Sequence, residues 1–370
     1  MQSLLALICL FIVLPTGANS TNSKGDVVLS DPLTVRWRYE SSVTLNLTPA
    51  ADSDRIYLPL AGGIVVALNA KDGQLLWRSE IGGELSASPI ADDSAIYVAS
   101  EIVTNGQQTR SAGVIRALGR EGGVTQWLTP LVQPLRGGIT ISGGKLFAGG
   151  RDGRAYAFDK KTGGVFWSIA LNSPFSGHPV AEGGRVYFGG EDGTLSALEA
   201  STGKQLWRYR TKGAVKGPVA VAGGEVYFGS GDGYVYALNA ENGRLEWRKR
   251  TGGGVEAVVL SGDSLLVASL DNFAYLLSLK GSMLWKRLLP GRISAQPLAL
   301  QGSGPFSPLS SSTALCLALK DGKQVNALPA GEEMTGSAGG IVVGDGVFLT
   351  TEHRLVAFAR PPESSTKIKP

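Results

Sequence analysis

The tryptophans constrain this chain more than any other feature. They stand at Trp37, Trp77, Trp127, Trp167, Trp207, Trp247 and Trp285, with successive separations of 40, 50, 40, 40, 40 and 38 residues. A glycine lies four residues before each of the last six: Gly73, Gly123, Gly163, Gly203, Gly243 and Gly281. A further copy keeps the glycine, Gly322, but has Asn326 in the tryptophan position. A fixed period near forty residues is the signature of a repeat architecture. It overrides any domain count drawn from the length of 370 residues.

Each period divides into four short runs. In residues 215–250 these are 217–221, 225–228, 234–238 and 245–248, rich in β-branched and aromatic residues. Gly223-Gly224, Asp232-Gly233 and Asn242-Gly243 separate them and supply the positive φ that tight hairpins need. Four-strand units of this length predict an all-β, eight-bladed β-propeller with four antiparallel strands per blade. Blades one to seven end at Trp77, Trp127, Trp167, Trp207, Trp247, Trp285 and Asn326. The eighth has three strands, near 339–343, 347–351 and 355–359. Its fourth is expected at the other end of the chain, residues 35–39, so that the N-terminal strand completes the last blade and leaves no open edge. Each tryptophan is expected to seal its blade to a neighbour. Ala67, Ala117, Ala157, Ala197, Ala237 and Ala357 supply small residues where sheets pack closely.

The predicted organisation is an export signal over 1–18, a linker over 19–32, the propeller over 33–360 and a tail over 361–370. The apolar run 4–14 is followed by small residues at Thr16 and Ala18, which suits signal cleavage after Ala18. Eleven residues are too few to span a bilayer, which takes about 20. Cys9 lies inside this run behind Ile8, a poor context for lipid attachment, and Cys316 would remain alone in the mature chain without a disulfide partner. Periplasmic location follows, with outer-membrane association open. The net charge of +4 is mild and no dense basic tract occurs, so nucleic-acid binding is not indicated.

The Ala-Leu-x-Ala-x-x-Gly-x-x-x-Trp phrase over 197–207 and its copies resemble the quinoprotein (PQQ-like) β-propeller repeat family, over about residues 33–360. One branch of that family holds alcohol and sugar dehydrogenases. The other holds the small exported scaffold subunit of the outer-membrane β-barrel assembly machinery. Minimal blades, mature length and an export signal resemble the second branch. The resemblance therefore implies a non-catalytic scaffold, a monomer within a complex, that assists assembly of β-barrel proteins. The alternatives are a quinone-dependent dehydrogenase or cofactor-binding propeller, and a structural or sugar-binding propeller.

No catalytic, cofactor or metal residue is assigned. Asp152, Asp192 and Asp232 each precede a glycine in a hairpin turn, where aspartate bonds its own backbone. His178 and His353 lie in different blades without Cys or His companions. Function is expected where the repeat breaks. The ten-residue excess of the second blade falls at 101–111, read as a polar loop containing Glu101, Asn105 and Arg110. The connection to the third blade reads Leu135-Arg136-Gly137. In the barrel-assembly branch a Leu-Arg-Gly connection helps dock the POTRA region of the barrel protein. The resemblance implies that role for Leu135, Arg136 and Gly137, with an exposed leucine as anchor. This tripeptide comes one connection earlier than the family pattern, and the next connection, 172–176, lacks the family's aspartates. A third surface is basic: nine Lys/Arg against four Asp/Glu between Lys204 and Arg250. Such charges on outer strands also block edge-to-edge pairing.

Overall fold

The computed structural model describes residues 27–104, 110–293, 296–300, 302–306, 311–332 and 339–361, and these are strands and turns without a helix. Consecutive strands pair antiparallel into meanders. Four-stranded sheets form, for example, from Val180–Glu182, Arg185–Gly189, Thr194–Glu199 and Gln205–Arg210, and from Ala220–Ala222, Glu225–Ser230, Tyr234–Asn239 and Leu245–Arg250. One eight-stranded sheet consists of two such meanders, 84–131 and 135–170, whose first strands touch through a single parallel pairing of Gly138 with Ser88. One sheet has three strands, Ser303–Phe306, Thr313–Ala318 and Gln324–Pro329, where the sequence predicts four. Among the described residues, the place for a first strand holds a bridge between Leu300 and Ser303.

Proline stands before or within several of these first strands. It has no N–H to give a ladder. Where Pro49, Pro179 or Pro218 precedes the strand, pairing shrinks to Ala50–Ala51, Val180–Glu182 or Ala220–Ala222. Among the described residues, no strand precedes Ser303–Phe306 in the stretch that holds Pro297. Leu135–Ser142 and Val255–Ser261, without proline, run eight and seven residues; Glu84–Ala91 contains Pro89 and also runs eight, its pairing skipping from Ala87 to Ile90.

The tryptophans join successive sheets as the period predicts. Each indole Nε1 donates to a backbone carbonyl in the next repeat: Trp37 to Ala70 at 3.1 Å, Trp77 to Arg120 at 2.8 Å, Trp207 to Ala240 at 3.0 Å and Trp285 to Leu319 at 2.7 Å. The glycine four residues before a tryptophan serves two ends. It takes positive φ, as at Gly243 (72°), and a methyl group there would lie 2.6 Å from the Trp207 ring of the preceding repeat. The alanines sit in register with the tryptophans, Ala197 opposite Trp207 and Ala357 opposite Trp37, and are fully buried. For six of the seven tryptophans, all but Trp285, an aromatic of the second strand packs on the indole, as Tyr187 on Trp207 at 5.9 Å between ring centroids.

The two ends of the chain share one sheet. Thr34–Glu40 pairs antiparallel with Arg354–Ala359, followed by Gly346–Thr350 and Ile341–Val343. Ion pairs pin this strand: Arg36 with Asp345, Arg354 with Glu40 at 2.7 Å and, just before it, Arg360 with Asp31 at 2.6 Å. Val27 and Leu29, in the segment read as a linker, are 3% and 0% exposed and pack with Val347, Val356 and Phe358. At the position of a tryptophan, Asn326 donates from Nδ2 to the Asp31 carbonyl at 2.8 Å. The equivalent glycine is replaced here by Leu33, which packs in the same cluster, so an indole would have no bare backbone to lie on.

Candidate docking face

Alternating strand direction gives the molecule two kinds of turn end. On one, the turn between third and fourth strands meets the turn between first and second: Lys160 N–H donates to Gly144 O at 3.1 Å and Ala200 N–H to Gly184 O at 2.9 Å. On the other, turns between second and third strands meet the connections between sheets. Arg151 N–H donates to Pro134 O at 2.9 Å, and Leu171 N–H to Gly153 O at 2.8 Å. Both breaks in the repeat lie on this second end.

The structure corrects the expectation of a polar loop at 101–111. The ladder continues through Glu101 with Gly113, Ile102 with Ala112, Val103 with Ser111 and Thr104 with Arg110. Ile102, Val103 and Thr104 are β-branched, which favours the extended backbone of a strand. The excess residues therefore lengthen a hairpin, Ala95–Thr104 and Arg110–Gly119, beyond its neighbours. Asn105 lies outside the described residues; Arg110 is the first residue of the returning strand.

Leu135 is also corrected. It is 0% exposed and packs with Ile115, Leu131 and Tyr156, so it is core and not an exposed anchor. Its strand begins at that residue, opposite Gly150, and an inward side chain at this register position has a core to fill. Arg136, the next residue, points the other way. Its guanidinium reaches the Glu101 carboxylate at 2.5 Å, and Arg151 approaches the other oxygen at 3.5 Å. The two breaks predicted separately are thus one cluster. Arg151, more than half exposed, does not stand out in the sequence because it occupies an ordinary turn position before Asp152-Gly153. Its one signal there is a charge that the fold sets beside the Leu-Arg-Gly connection.

Gly137 has φ of 72°, and a Cβ there would lie 2.1 Å from the Gly177 carbonyl oxygen. The same crowding recurs from sheet to sheet: Gly177 against Lys216 O at 2.2 Å, and Gly217 against Glu256 O at 2.2 Å. Gly138 lies under the His178 ring, whose protonation burial disfavours. Further along, Thr48 N–H donates to Ser88 Oγ at 3.3 Å and Gly339 N–H to Thr48 Oγ1 at 2.9 Å. Gly137 is therefore a packing residue between first strands. Burial raises the Glu256 carboxyl above its ordinary range, partly offset by Lys216.

The recurring aspartates serve their own turns. Asp152, Asp192 and Asp232 accept from the backbone N–H two residues on, at 3.0–3.2 Å. Tyr156 and Tyr236 hydroxyls donate to Asp152 and Asp232 at 3.0 and 2.8 Å. Among the described residues no three His, Cys, Asp or Glu side chains converge as metal donors. A quinone with its divalent cation needs several free oxygen donors around one pocket. The residues here do not fit that group, because these carboxylates are spent on turns and the first strands crowd one another at their backbones.

Comparison with known proteins agrees with this architecture. The family model described as "Outer membrane protein assembly factor BamB" matches residues 23–109, 111–215 and 202–364. The protein of that name from Yersinia pestis is 28% identical over 118 residues, which is 30% of this chain and 28% of the relative, under a third of its length. The crystal structure of BamB from Moraxella catarrhalis superposes with a TM-score of 0.74 at 17% identity, covering 90% of this chain and all of that one. A quinohemoprotein alcohol dehydrogenase from Comamonas testosteroni gives 0.71 at 12% identity, covering 94% of this chain and 80% of that one. At such identities the structural likenesses show a shared fold alone.

Proposed function

The chain belongs to the family of the outer membrane protein assembly factor BamB, and from that premise we propose that it is an exported, non-catalytic scaffold which helps β-barrel proteins assemble into the outer membrane. In this reading its sheets are eight blades of a closed ring, the last completed by the N-terminal strand. The succession of tryptophan and first-strand contacts supports that count. The partner is a protein, the POTRA region of the barrel-assembly protein, held on the end that carries the long hairpin and the connections between sheets.

One observation carries the reading: Arg136 and Glu101, from the two places where the repeat breaks, share an ion pair with Arg151 on that end. A half-exposed charge cluster of this kind steers and orients a partner more than it adds affinity. Arg136 is held in place by Glu101, while Arg151 retains a solvent-facing guanidinium for a carboxylate of the partner. The experiment is recovery of a POTRA-containing protein by the immobilised chain. Arg136→Glu with Arg151→Glu is expected to lower recovery about tenfold or more, because like charges then face the partner. Unchanged recovery by a variant that melts with the parent would remove this surface from the proposal. Leu135 is left intact, since truncating a buried leucine would cost about 2–5 kcal/mol of stability and confound the result.

A further inference from the structure

The outermost strands differ in charge from blade to blade. The first and third residues after the tryptophan are Arg78 and Glu80, Leu128 and Pro130, Ser168 and Ala170, and Arg38 and Glu40. Arg78 pairs with Glu80 at 2.5 Å, and Glu40 with Arg354. On two adjacent sheets both positions are arginine: Arg208 and Arg210 on Gln205–Arg210, Arg248 and Arg250 on Leu245–Arg250. All four are exposed, and none forms an ion pair among the described residues.

Protection of a strand edge needs one charge of either sign. Four like charges on neighbouring edges exceed that need, and they repel one another. Their surroundings are those of an anion site. Arg208 and Arg210 line an open groove of about 210 Å³ with Asn172, Thr194, Ser196 and Gln205. Asp192 also borders it, holding Thr194 N–H at 3.0 Å and Thr194 Oγ1 at 2.9 Å, and its charge offsets part of that of Arg210; two arginines against one aspartate leave the groove net positive. In the next sheet the Arg248 guanidinium lies 4.9 Å from the Tyr234 ring centroid, which fixes it at the edge. Leu206 and Leu245, exposed by 41% and 37%, lie on the same two strands. Exposed arginines beside a half-buried Tyr234 match the headgroup layer of a bilayer, where cations meet phosphates and long side-chain stems enter the interface; exposed apolar residues such as Leu75, Phe166 and Leu284 recur on other outer strands, so the arginines are what distinguish this edge.

We infer that the outer edge formed by Arg208, Arg210, Arg248 and Arg250 docks on an anionic lipid surface. The inference rests on the proposed location beside the outer membrane, but its test contains no protein partner. The exported chain is sedimented with vesicles of phosphatidylcholine, with and without about one-third phosphatidylglycerol. It is expected to bind only the anionic vesicles, and less as salt shortens the screening length. Replacing the four arginines by glutamine is expected to weaken partitioning at least about a hundredfold. Arg38→Gln with Arg78→Gln removes charge elsewhere and should leave partitioning nearly unchanged. Protection of the four arginines from phenylglyoxal by anionic vesicles reads the same contact without any variant.

Equal sedimentation with both vesicle types overturns the inference, as does an equal loss in the Arg38/Arg78 control. Retained vesicle binding by the four-arginine variant with loss of an acidic protein partner would also overturn it, and assign the edge to that protein. Loss of POTRA recovery in the Arg136/Arg151 variant is a separate readout and leaves the lipid assay untouched.

Discussion

Trp207 shows what a single residue does in this fold. Its indole packs on Tyr187 of its own sheet, covers Gly243 of the next and donates to the Ala240 carbonyl. Trp207→Ala is expected to destabilise by about 3–5 kcal/mol, and Trp207→Phe by less, chiefly the lost hydrogen bond of about 1 kcal/mol. Thermal or denaturant melts of the two variants check the order; equal losses would contradict a packing role for the ring, and a Trp207→Phe variant that melts with the parent would contradict a role for the N–H. The period of forty makes this residue legible from the amino-acid sequence, because only a broad side chain repeated in register can serve every junction. Leu135 is not legible in the same way. A leucine in a connection between repeats reads as exposed, and only the three-dimensional register shows that it faces Ile115 and Tyr156. Arg151 is hidden for the opposite reason, since its turn is shared by every repeat and its partner Glu101 lies fifty residues away.

At the level of strands, turn chemistry carries most of the message. Gly-Gly, Asp-Gly and Asn-Gly place the hairpins. The lengthened ladder of Glu101–Thr104 with Arg110–Gly113 escapes a sequence reading because the polar stretch that follows three β-branched residues carries no apolar alternation. The N-terminal strand follows from an incomplete last repeat, but the burial of Val27 and Leu29 does not, as two apolar residues in a polar stretch give no periodicity. Deleting residues 1–40 removes that strand, both buried residues and the ion pairs of Arg36 and Glu40 with Asp345 and Arg354. It also bares the Arg354–Ala359 edge. The expected loss exceeds about 5 kcal/mol, with aggregation of the truncated chain on heating. A truncation that melts with the full mature chain would contradict the pairing as a structural element. Salt-dependent surface pairs supply only a small part, about 1 kcal/mol or less each.

For the whole molecule, a repeated seal joins sheet to sheet, and in the proposed ring the departures from repetition are where a partner would tell one blade from another. The long hairpin and the Leu135–Ser142 strand bring Glu101, Arg136 and Arg151 together on one end, while Lys161 sits in a turn on the other. Function is less legible than fold, because tryptophan spacing reports junctions that every member of such an architecture needs, whereas a docking cluster depends on side chains brought together from distant repeats. The most direct measurement is photo-crosslinking in cells from a benzoyl-phenylalanine placed at Arg151 or, as a control, at Lys161. The account predicts a crosslink to the POTRA-containing barrel-assembly protein from position 151 and none from 161; a crosslink from 161 with none from 151 would contradict it.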